Sequence, residues 1–223
     1  MNFHYLWHDF QHGILHVDKG ILYTLKQLFT RPGHSIREFL QGKRVKHFKP
    51  FSMVIILAGT FGFLYHYWHV DVFKAMEKTV MEADANRMVA LNNWISKHYA
   101  LISILSIPIY ALGTFIAFRK QGYNFTEHLV INAFLTGQRL VVRILTFPLF
   151  LSLNNSEHIE MIKNVYACTD LFLFIWTFCQ FFNTRSYWKT IIQSLLAYII
   201  FFSLLILSIF LMDVIYENWL HAH

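Results

Sequence analysis

Residues 30–51, TRPGHSIREFLQGKRVKHFKPF, carry Arg31, Arg37, Lys43, Arg44, Lys46 and Lys49 against one acid, Glu38. They run straight into FSMVIILAGTFGFLYHYW, which holds no formally charged residue. A dense basic segment abutting a membrane-length apolar segment is retained on the cytoplasmic side and orients everything downstream. That pairing rules out most soluble folds. Composition agrees: the chain is 56% hydrophobic and only 14% charged, where soluble domains carry roughly a quarter charged residues. Mean hydropathy is +0.40. The formal net charge of +6 sits beside apolar spans, which suits anionic lipid headgroups rather than nucleic acid.

The remaining sequence supports an all-α, polytopic membrane helical bundle of about five spans, with an N-terminal amphipathic cytoplasmic collar. The collar occupies 1–50, the bundle 51–212 and a tail 213–223. Spans fall at about 51–68, 99–118, 128–153, 165–182 and 190–212. Lys and Arg on the assigned inside number eight, two and two, against four, one and none outside. This places the N-terminus in the cytoplasm and the C-terminus outside. No basic start precedes an apolar core in the first twenty residues, so the first span is expected to act as an uncleaved anchor.

Within the collar, Asp18 offers an N-cap to a helix beginning near Lys19, and Pro32-Gly33 is expected to stop it. Ser35 and Glu38 then read as a capping box for a second short helix. Two amphipathic helices with basic edges, joined at a Pro-Gly corner, are expected to lie along the headgroups. Downstream, Ala58 and Gly62 allow close helix contact. Residues 71–98 read as an amphipathic helix outside the membrane, Pro108 as a kink or break in the second span, and Asn124 with Glu127 as a cap for the third.

Two constellations could carry chemistry. His4, His8, His12 and His16 recur every four residues, a spacing at which neighbouring imidazoles can share a metal ion. No third ligand type accompanies them beyond Asp9, so half-polar filling of an interfacial helix is the favoured alternative. In the third span, His128, Asn132, Thr136, Arg139 and Arg143 share one helical face, and a stripe with two arginines must face protein or water. The helix could begin at Thr126, with Arg139 near mid-membrane, or dip from an interfacial start. Arg143 lies about 22 Å along its helix and Asp170 about 6 Å in from the opposite end. In a core of about 30 Å these depths nearly coincide, which predicts an Arg143–Asp170 pair. Nucleotide-binding glycine loops, H-E-x-x-H and G-x-S-x-G are all absent from the sequence, and no cofactor is implied.

Thr24, Leu28, Arg31, Pro32 and Gly33, then Gly42, Lys43, Arg44 and Pro50, form a T-x-x-x-L-x-x-R-P-G run followed by G-K-R-x-x-x-x-x-P. These motifs, with Glu127, Asn132 and Gln138 in TEHLVINAFLTGQR, resemble the bacterial membrane family called domain of unknown function 3667. The chain is similar to the form of that family without the N-terminal cysteine zinc ribbon. The resemblance implies a membrane protein and no particular reaction. Three readings follow from the sequence. The first is a non-enzymatic module that binds anionic headgroups, or a partner, through the basic collar. The second is a small transporter or homo-oligomeric pore along the polar stripe. The third is a metal-dependent membrane enzyme using the His ladder.

Overall fold

The computed structural model describes residues 20–68, 89–90, 92–95, 97–152, 159–182 and 187–222, with the backbone alone for 159–160 and 208–222. Among these residues every regular element is helical. Residues 20–30 form α1, followed by α2 (Pro32–Leu40), α3 (Pro50–Tyr67), α4 (Tyr99–Phe118) with a short 3₁₀ turn (Arg119–Gln121), α5 (Phe125–Ser152), α6 (Ile159–Phe182) and α7 (Tyr187–Ala222). The helices α3 to α7 contain five stretches long and apolar enough to cross a membrane. The His ladder and most of residues 71–98 lie outside the described residues.

Local chemistry explains the helix starts. Lys49 is extended and Pro50 opens α3, where proline's missing N–H costs nothing. At α5 the expected cap forms reciprocally: Asn124 N–H donates to Glu127 Oε2 at 2.7 Å, and Glu127 N–H to Asn124 Oδ1 at 2.9 Å. The helix α5 then runs unbroken for 28 residues, from Phe125 to Ser152. At 1.5 Å per residue it is about 42 Å long, more than a bilayer core, so it tilts or protrudes. Pro108 lies inside α4 without breaking it.

The bundle packs α4 against α3, α5 and α7, and α6 against α5 and α7. Aromatic rings fill its centre. Phe118 stacks on Phe178 at 4.9 Å and on Phe182 at 4.5 Å, and all but Phe182 are completely buried. In lipid such packing, rather than apolar transfer, holds helices together. Ala58 and Gly62 both face this interior. At Gly113, α4 approaches α7 so closely that a Cβ would sit 2.9 Å from the Ala197 carbonyl oxygen.

The collar differs from expectation in two ways. First, α1 ends at Thr30 beside Pro32-Gly33 as expected, but the Pro-Gly pair opens the next helix rather than forming a turn ahead of it. The chain bends at Arg31 alone and α2 starts with Pro32 in its first turn, so Ser35 lies inside α2 and caps nothing. The Ser35 N–H is taken by the Arg31 carbonyl at 3.0 Å, and Glu38 pairs with Arg31 at 3.2 Å. Secondly, the apolar faces of α1 and α2 are part of the bundle core: Leu28, Ile36 and Phe39 are buried in it. Gly33 is the reason. It lies against the C-terminal turn of α6, where a Cβ would come within 2.5 Å of the Gln180 carbonyl carbon. Arg37 completes the joint, donating from Nη2 to the Gln180 carbonyl at 2.8 Å and also to that of Phe181. A cation on the last free carbonyls of a helix is favoured by hydrogen bonding and by the helix dipole.

Candidate functional site

Two places gather the residues singled out from the sequence. One is the loop between α2 and α3. Lys43, Arg44, Lys46 and Lys49 are all exposed there, and Val45 between them is fully exposed. Arg44 also lies over the Phe39 ring, 5.3 Å from its centroid. Arg31 and Arg37 are only partly exposed and are engaged within the protein, as described above. The loop folds back through Thr24, whose hydroxyl accepts the Phe48 N–H at 2.7 Å. Beside it, Ser35 Oγ and His47 Nε2 are 2.9 Å apart, and Tyr23 meets the imidazole edge-on at 5.4 Å.

Burial holds His47 below its ordinary range; the nearby Glu38 opposes this less strongly, and Arg31 reinforces it. Its Nδ1 is enclosed with no hydrogen-bond partner. A histidine whose folded value is depressed binds fewer protons when folded. Stability is therefore fully present above the unfolded value of 6.5 and is lost as pH falls below it. We expect the thermal unfolding temperature of the detergent-solubilised chain to drop between pH 7.5 and 5.5, and His47→Gln to flatten that drop. Identical pH profiles for the two proteins would refute the assignment.

The second place is the seam between α4, α5, α6 and α7, onto which the predicted polar stripe projects. His128, Asn132, Thr136 and Arg139 are buried there. His128 and Asn132 find a shared partner on α4, an uncharged span in the sequence. Thr114 gives its proton to the Ala111 carbonyl at 3.0 Å, leaving its oxygen to accept from Asn132 Nδ2 at 2.9 Å. His128 Nδ1 is 3.0 Å from the same oxygen. Deeper along the stripe, Arg139 donates to Thr136 Oγ1 at 3.2 Å and lies 4.2 Å from the Tyr110 ring centroid. The pair predicted from helical depth forms: Arg143 Nη2 and Asp170 Oδ2 are 2.7 Å apart. Arg143 Nη1 also donates to the Tyr99 hydroxyl at 2.9 Å.

Gln138, one of the residues that carry the family resemblance, lies off the stripe. Its amide donates to the Leu28 carbonyl, one of the last in α1, at 2.9 Å, tying the collar to the bundle. Thr114, Tyr99 and Tyr110 carried no signal as single residues among apolar neighbours.

At the Tyr99 end of the seam, Phe61, Tyr65, Phe147, Tyr166 and the Arg143 stem line a cavity of about 190 Å³. An apolar cavity of roughly 150 Å³ can hold a benzene ring, so this one accommodates a small apolar group. Among the described residues no group of three or more His, Cys, Asp or Glu is placed to hold a metal ion.

No curated protein and no solved structure matches the chain. Residues 18–62, which take in α1, α2, the basic loop and most of α3, match the model of the family described as Protein of unknown function (DUF3667).

Proposed function

We propose that this is a non-enzymatic membrane module of the bacterial inner membrane that binds anionic lipid headgroups through the loop between α2 and α3. In this reading the loop and the N-terminus face the cytoplasm and the C-terminus lies outside. The observation that carries it is the joint exposure of Lys43, Arg44, Lys46 and Lys49 immediately before Pro50 opens the first apolar helix. Four unburied cations at a membrane boundary sit where anionic headgroups concentrate, and each contributes about 1 kcal/mol near such a surface. The exposed Val45 gives the loop an apolar point that can enter the headgroup layer.

The test replaces all four cations with Gln. The purified wild-type chain, exchanged into mixed phosphatidylglycerol and phosphatidylcholine, should retain phosphatidylglycerol in excess. The variant should lose most of that excess, and 0.5 M salt should weaken it in the wild type. A reporter fused after His223 should be external in the wild type and of mixed orientation in the variant. Unchanged lipid selectivity would remove the headgroup reading, and a cytoplasmic reporter in the wild type would remove the orientation.

A further inference from the structure

The seam holds more positive than negative charge. Arg139, Arg143 and Asp170 converge there from α5 and α6, and Asp170 is committed to Arg143 at 2.7 Å. Arg139 is only 6% exposed, yet among the described residues no carboxylate reaches it. A guanidinium has five N–H donors and cannot shed its charge. Here one donor bonds Thr136 and one face covers the Tyr110 ring. The rest of the group is uncommitted, and none of its nitrogens is both fully enclosed and unpartnered. Its unpartnered nitrogens therefore keep some accessible surface rather than being sealed off.

The surroundings supply further donors. The Tyr198 hydroxyl lies within electrostatic reach of Tyr110, Asp170, Arg139 and Arg143. Neither the Tyr110 nor the Tyr198 hydroxyl has a hydrogen-bond partner among the described residues. By helical rise, Tyr110 is about 17 Å from the Tyr99 end of α4 and about 12 Å from the Phe118 end. The site thus lies deep in a membrane-spanning bundle, where an uncompensated cation is costly.

We propose that the seam binds one small monovalent anion of halide size, held by Arg139 with the hydroxyls of Tyr110 and Tyr198. A single negative charge balances the two arginines and one aspartate. A divalent anion would overshoot, and a lipid headgroup would have to leave the membrane surface. The proposal goes beyond the headgroup reading and does not depend on it, because it uses none of the loop cations.

The full chain is purified in neutral detergent and its thermal unfolding followed in sodium chloride against sodium gluconate at equal ionic strength. Chloride should raise the unfolding temperature saturably, and Arg139→Gln should abolish the response. Tyr198→Phe, which leaves the charge in place, should shift the chloride midpoint to about tenfold higher concentration through loss of one charge-assisted hydrogen bond. Crystals of the wild type grown in bromide should show anomalous scattering within hydrogen-bonding distance of Arg139. Equal unfolding temperatures in chloride and gluconate, or an undiminished chloride response in Arg139→Gln, would overturn the proposal. Should Arg139→Gln fail to fold, the bromide signal decides: its absence from the seam refutes the site and its presence establishes it.

Discussion

Replacing Gly33 with alanine should detach α2 from the end of α6 and destabilise the protein by about 3 kcal/mol, the upper end of overpacking penalties. The reason is what the new methyl would meet. It would come within 2.5 Å of the Gln180 carbonyl carbon and also press on the backbone of Phe181, and backbone in a helical turn cannot rotate aside. If α2 retreats to relieve the clash, Arg37 leaves the Gln180 and Phe181 carbonyls that it caps. Gly137→Ala is the control. A methyl there would meet the terminal methyl of Met53, a flexible side chain with three rotatable bonds, and should cost under about 1 kcal/mol. In thermal unfolding the first variant should fall by roughly 6–12 °C and the second by a few degrees at most. Equal shifts for the two alanines would show that the Gly33 joint is not a rigid contact.

That joint also marks where sequence reading stops. The spans were legible because a bilayer imposes a length and punishes charge, both of which are properties of a local window. The Asn124–Glu127 cap was legible for the same reason, since both partners lie within one turn. The Arg143–Asp170 pair was the one long-range contact within reach, because the membrane gives every helix a common depth scale and Asp170 is the only acid in its span. Gly33 has no such scale. Pro-Gly reads locally as a stop, and only the presence of α6 turns it into a contact surface. Ser35 and Glu38 fit a capping box by spacing, but Pro32 already occupied the first helical turn and left Ser35 free to meet His47. Thr114 and Gln138 bind partners on other helices, and single polar residues in apolar stretches announce no partner. The stripe itself was placed on the correct face, while the α4 side of the seam was invisible.

Within that seam, Asp170→Leu should be the most damaging single substitution, costing about 3 kcal/mol, the low end for breaking a buried ion pair. The low end applies because the Arg143 side chain keeps 31% exposure while that of Asp170 keeps 11%, so solvent screens part of the interaction. Removal of the aspartate leaves Arg143 with the Tyr99 hydroxyl as its remaining polar contact among the described residues, and the seam with two unbalanced guanidinium groups. Arg143→Met should cost less. A stranded carboxyl can neutralise itself by taking up a proton, whereas a stranded guanidinium cannot. Combining the two substitutions removes both charges and leaves apolar side chains of similar bulk, so the double variant should return to within about 1 kcal/mol of the wild type. The double-mutant cycle, read by thermal unfolding in detergent, isolates the pair from the separate contributions of each site. Additive losses, with the double variant weaker than either single one, would mean that Arg143 and Asp170 stabilise the bundle through their other neighbours rather than through each other.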